Sequence, residues 1–138
     1  MTTSTGSGVV SPVVQAPRVL VVAEDEQSRG VLTAVLRADG HAVDAAADRA
    51  EAVALIDRHA YVVVLSDLRM HGLDGPELAR VLSARPPGQA TPAVLFLTRT
   101  PFAPDLAGFI IESGAPMLRW PAAPAEISHA VARALTPA

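Results

Sequence analysis

The chain has 138 residues, 50% of them hydrophobic and 18% charged, with a formal net charge of -3. That is one domain with an ample core and no electrostatic reason to expect a nucleic-acid-binding face. There is no cysteine and all 11 basic residues are arginine, which excludes disulfides, thiol catalysis, cysteine-ligated metals, lysine Schiff bases and a phosphate-loop lysine.

The opening MTTSTGSGVVSPVVQAP has neither a basic n-region nor a long apolar stretch, so residues 1–17 read as a disordered tail before one domain at 18–138 of a cytoplasmic protein. The apolar runs that follow are strand-sized, far below the roughly 20 residues that span a bilayer. Five of them, Arg18 to Ala23, Ala42 to Ala46, Tyr61 to Ser66, Ala93 to Leu97 and Pro116 to Arg119, alternate with segments of helical period. That alternation predicts an α/β fold with a parallel sheet covered on both faces.

The first helix, from Gln27 to Asp39, sets Val31, Leu32, Val35 and Leu36 on one face and ends where Gly40 can take a left-handed cap. A second helix covers Arg49 to Arg58. A third opens with Pro76, tolerated in a first turn, and buries Leu78, Val81 and Leu82. Ser83 to Pro92 reads as a loop by composition. The fourth helix, from Pro104 to Glu112, is expected to be short and mobile, because Pro101 and Pro104 confine its start and Gly108 lies inside it. The last helix aligns Ile127, Ala130, Val131, Ala134 and Leu135.

Functional residues are expected where the strands end. Glu24 and Asp25 follow the first strand and Asp67 follows the third, at the carboxyl edge where open parallel sheets bind ligands. If those strands are neighbours, three carboxylates meet, a cluster stabilised near neutral pH by a hard divalent cation, most plausibly Mg²⁺, on one or two carboxylates, a carbonyl and waters. Each acid taken alone reads first as a helix cap or a solvated loop residue, and only the three together point to a cation. A dinucleotide site is disfavoured because AEDEQSRG lacks the close glycines of the phosphate fingerprint. An aspartate-nucleophile phosphohydrolase is disfavoured because Arg69 stands where that class has its second aspartate.

RVLVVAEDEQSR, VLSDLRMHGLDG, VLFLT and SGAPMLRWP together resemble the receiver domain of bacterial two-component response regulators, from Arg18 to Leu135. The resemblance implies a flavodoxin-like (βα)5 three-layer sandwich with a parallel five-stranded sheet of order 2-1-3-4-5. It also implies a phosphoacceptor at Asp67, an acidic pair at Glu24 and Asp25, a Mg²⁺ shell completed by the Arg69 carbonyl, and a phosphoryl-bonding hydroxyl at Thr98. Such a domain is a signalling module that catalyses only its own phosphorylation and dephosphorylation. Its phosphoryl donor is a sensor histidine kinase or a histidine phosphotransfer protein. It acts through protein contacts with a downstream partner the sequence does not name, and binds neither nucleic acid nor membrane. A homodimer through the fourth-helix, fifth-strand and fifth-helix face is an option the resemblance leaves open.

Three departures stand out. Trp120 occupies the position of the family's lysine, directly before Pro121, and its indole carries no charge. His71 stands where proline is usual, and Met117 where an aromatic switch residue is usual. Arg99 and Arg69 are candidates for the missing cation, while His41, His59, His71 and His129 are read as structural. FLTRTPFAPDLAGFIIESGAPMLRWP is also similar, more loosely, to receivers attached to hybrid sensor histidine kinases. Two functional readings follow: a phosphoryl-accepting receiver, favoured by Glu24, Asp25, Asp67 and Thr98, and a phosphorylation-independent interaction module, favoured by Trp120.

Overall fold

The computed structural model describes residues 17–85, 91–99 and 104–136. The tail expected at 1–17 lies outside the described residues except for Pro17, as does the centre of the loop expected at Ser83 to Pro92. In chain order the elements are β1 (Arg18–Val22), α1 (Glu26–Ala38), β2 (Ala42–Ala46), α2 (Arg49–Arg58), β3 (Val63–Asp67), α3 (Gly75–Ser83), β4 (Ala93–Thr98), a 3₁₀ turn (Pro104–Leu106), α4 (Ala107–Ser113), β5 (Met117–Arg119) and α5 (Pro124–Leu135). The sheet is parallel throughout, in the order β2-β1-β3-β4-β5. This is the flavodoxin-like arrangement that the resemblance implied.

Continuous apolar strands are what a sheet buried on both faces requires. On one face Val19, Val21, Val63, Leu65 and Leu97 pack with Leu32 and Leu36 of α1 and Ile127 and Val131 of α5. On the other, Leu20, Val22, Val64 and Phe96 pack with Ala52 and Ile56 of α2 and Leu78 and Leu82 of α3. The alternation along each strand deals residues to the two layers in turn.

Helix starts are fixed by side chains that accept from otherwise unpaired N–H groups. Asp25 caps α1 through the Ser28 amide, Asp48 caps α2 through Glu51, and Asp74 caps α3 through Glu77. The end of α1 is a Schellman motif. Gly40 takes a φ of 95° and donates to Arg37, and His41 donates to Leu36, as the sequence suggested. Within the predicted apolar stripe of α1, Leu32 and Leu36 are buried but Val31 is 40% exposed.

Two boundaries differ from the sequence reading in a way that matters for function. The third and fourth strands continue through Asp67 and Thr98, because Asp67 still pairs with Leu97 and Thr98 with Arg119. Polar character at these positions suggested strand ends, but ladder pairing with the neighbouring strand carries the backbone one residue further. The fourth helix is short, as expected, and its first turn is the 3₁₀ segment, with Gly114 at a φ of 62° closing it. It anchors through Phe109, whose ring meets Phe96 edge-on at 5.6 Å.

Candidate functional site

Because β1 and β3 are adjacent and in register, Glu24 and Asp67 converge at the carboxyl edge. The Glu24 amide donates to Oδ2 of Asp67 at 3.3 Å. Asp67 is only 3% exposed, and its Oδ1 makes no hydrogen bond among the described residues. The nearest cation to Oδ1 is Arg99, with Nη2 at 3.3 Å. Burial pushes the Asp67 carboxyl above its usual range and the Glu24 carboxylate adds to that, while the Arg99 guanidinium and the Glu24 amide pull the other way. A strand that runs into a carboxylate thus buries it, with one oxygen that makes no hydrogen bond and faces the Arg99 guanidinium.

Asp25 is held differently. Its Oδ2 accepts from the Ser28 amide at 2.9 Å and from the Ser28 hydroxyl at 2.6 Å. These bonds hold its carboxyl below the ordinary range, with a further contribution from Arg99. Glu24 turns outward to His71, Oε2 to Nδ1 at 2.9 Å. The three acids therefore share the edge without forming a closed ligand set, and among the described residues no group of three His, Cys, Asp or Glu side chains is arranged for a metal. The reason is local: the cap of α1 claims Asp25, and His71 draws Glu24 away. Arg29 ties down the turn by donating to the carbonyls of Ala23 and Glu24, both at 2.9 Å.

The two candidate cations separate clearly. Arg69 lies beyond β3 and forms an ion pair with Asp105, whereas Arg99 faces Asp67. Thr98 ends β4, and its carbonyl accepts from the Trp120 amide at 2.8 Å. Trp120, joined to Pro121 by a cis peptide bond, is 9% exposed and belongs to the α1–α5 core layer. Its Nε1 donates to Oγ of Ser28 at 3.0 Å. Since that hydroxyl donates to Asp25, a chain of hydrogen bonds runs from indole to hydroxyl to carboxylate. Sequence reasoning missed Ser28 and Arg29, and read His71 as structural without its partner Glu24. Ser28 was legible only as the N3 position after a capping aspartate, and the positions of His71 and Arg29 carried no signal of their partners.

The chain belongs to the response regulator receiver domain family, whose model matches residues 19–132. It is similar to the transcriptional regulatory protein TcrA of Mycobacterium tuberculosis, at 33% identity over 104 residues, which is 75% of this chain and 40% of that protein. Among solved structures it resembles the chemotaxis response regulator CheY4 of Vibrio cholerae, at 26% identity and a TM-score of 0.75, covering 88% of this chain and 100% of that one. It also resembles the receiver domain of the hybrid histidine kinase CckA, at 28% identity and a TM-score of 0.68, covering 86% and 99%. The chain spans 12% and 40% of the length of the first curated relatives it matches. It is a signalling domain of the kind used in two-component systems, and among its described residues no helix is long and apolar enough to cross a membrane.

Proposed function

We propose that residues 18–138 form a receiver unit that accepts a phosphoryl group on Asp67 from a phosphohistidine of a sensor kinase or phosphotransfer protein, in the cytoplasm, and signals through protein contacts. The observation that carries this reading is the buried Asp67 carboxylate at the carboxyl edge of the sheet, with Oδ1 free of hydrogen bonds. In the transfer, an Asp67 oxygen forms the new bond to phosphorus. The phosphorus–nitrogen bond to the donor imidazole breaks, and its electron pair stays on that nitrogen. Thr98, at the end of the neighbouring strand, is the hydroxyl proposed to bond the transferred group.

Mg²⁺ fits this donor set. A buried carboxylate oxygen that makes no hydrogen bond, beside two further acids, is the hard-oxygen chemistry that Mg²⁺ takes, and the ion needs only one or two carboxylates because it keeps several waters. Asp25 and Asp67, with the Arg69 carbonyl, are the residues proposed to hold it, and Glu24 adds charge at the rim. When bound, the ion neutralises negative charge on the transferring oxygens. The low exposure of Asp67 limits water around the acyl phosphate once it has formed.

Incubation with acetyl phosphate and Mg²⁺, read by intact mass, tests the reading. One added phosphoryl group on the wild type and none on Asp67→Asn supports it. A wild type that stays unmodified with both acetyl phosphate and a cognate kinase refutes it, and leaves a phosphorylation-independent interaction module.

A further inference from the structure

The carboxyl edge carries Glu24, Asp25 and Asp67, and a phosphoryl group arriving there brings more negative charge. Beside a bound metal ion, a positive side chain that meets both Asp67 and the incoming oxygens would add to their stabilisation. Four side chains come into question at this edge, and Arg29 is committed to the carbonyls of Ala23 and Glu24. Trp120 has no charge, and its one donor is committed to Ser28. Arg69 is 61% exposed and paired with Asp105. Arg99 remains. It follows Thr98 on the strand next to Asp67, its Nη2 is 3.3 Å from Oδ1, and its side chain is 39% exposed.

We infer that Arg99 is the phosphoryl-positioning cation of this domain, pairing with the Asp67 carboxylate before transfer and with the phosphoryl oxygens after it. The inference rests on Asp67 being the phosphoacceptor. The contact with Oδ1 is an ion pair without hydrogen-bond geometry, so the guanidinium is near its target but not locked onto it. A planar fork with five N–H donors can engage a phosphoryl oxygen while keeping Oδ1 in reach. The cation thus comes from the end of β4, where its neighbour Thr98 supplies the hydroxyl, and the end of β5 is left to an apolar ring that closes the core. With Nη2 3.3 Å from Asp67 Oδ1, the charge of Arg99 also opposes a divalent cation bound at that carboxylate.

Arg99→Ala, Arg99→Lys and Asp67→Asn separate these roles. Initial phosphorylation rates with acetyl phosphate are read by intact mass, and Mg²⁺ affinity by the fluorescence of Trp120, the single tryptophan. Arg99→Ala is expected to slow phosphorylation by about tenfold or more, the scale of one charge-assisted contact, and to tighten Mg²⁺ binding by about threefold because a nearby positive charge is gone. Arg99→Lys should recover part of the rate. A purely structural role would not move the two readouts in opposite directions. An Arg99→Ala protein labelled as fast as wild type overturns the inference alone, and so does one that loses Mg²⁺ affinity together with rate. A wild type that stays unlabelled overturns the phosphoacceptor reading and this inference with it.

Discussion

The indole Nε1 of Trp120 donates a 3.0 Å hydrogen bond to the hydroxyl of Ser28, joining the end of β5 to the first turn of α1. Trp120 is therefore a core residue with a specific polar partner. Its ring belongs to the same apolar layer as Leu32, Leu118 and Ile127. The bond also reaches Asp25, which accepts from the same hydroxyl.

Trp120→Phe keeps most of the ring but removes the donor, and should lower stability by about 1–2 kcal/mol in urea denaturation. Ser28→Ala breaks the same bond from the other side, so the double variant should lose less than the sum of the two singles. Trp120→Lys should cost about 3 kcal/mol or more, because it empties a packed aromatic site and places an ammonium there.

Mg²⁺ should raise the melting temperature of the wild type. Ligand binding to the native state alone stabilises by mass action, about 2.7 kcal/mol at a hundred times Kd. Asp25→Ala and Asp67→Asn should abolish most of the shift, whereas Glu24→Gln should retain part of it because Glu24 is turned towards His71. Unchanged melting of the wild type across millimolar Mg²⁺ would contradict this.

Asp67→Asn should stabilise the metal-free protein at neutral pH by about 1 kcal/mol or more, since it removes a buried charge. The sign follows from the raised Asp67 carboxyl. A native group with a raised value favours the fold when protonated, and that stability is lost as pH rises through the native value. The advantage of the asparagine should accordingly shrink as pH falls through the raised carboxyl range and be gone below the unfolded one. Denaturant midpoints measured from pH 7 down to pH 3 would check it.

Asp44 gives the opposite pH dependence. Its Oδ2 accepts from Arg18 Nη1 and from the Tyr61 hydroxyl, both at 2.7 Å. Burial alone would raise its carboxyl, but the bonds from Tyr61 and Arg18 outweigh it and hold it below the usual range. The stability it contributes is present above the unfolded value and lost as pH falls through the depressed native one. Tyr61→Phe should therefore cost about 1 kcal/mol at neutral pH and progressively less in acid, as read from thermal melts across that range.

Gly75→Ala should destabilise by about 1–3 kcal/mol, the usual cost of overpacking. A Cβ at that position would lie 2.7 Å from Cε2 of Phe109 and 2.9 Å from Cδ1 of Leu68. Since Leu68 directly follows Asp67, the strain should also disturb the acceptor, and backbone amide shifts around Asp67 would report it.

Much of this protein is legible along the chain. Strand periodicity, the glycine after α1, the capping aspartates and the acids at strand ends depend on local backbone chemistry, and they suffice for the strands and the helices, while the strand order that sets the edge around Asp67 came from the resemblance. The resemblance implied an absent lysine, and the sequence nominated Arg69 and Arg99 to supply its charge. What tertiary structure alone decided is how these groups pair: Arg69 with Asp105, Arg99 with Asp67, Glu24 with His71 and Trp120 with Ser28. Each pair joins residues far apart in the chain, through side chains whose reach exceeds the spacing between neighbouring strands. No periodicity encodes such a choice. It follows from where the folded sheet sets each Cα and which rotamer the surrounding packing leaves open.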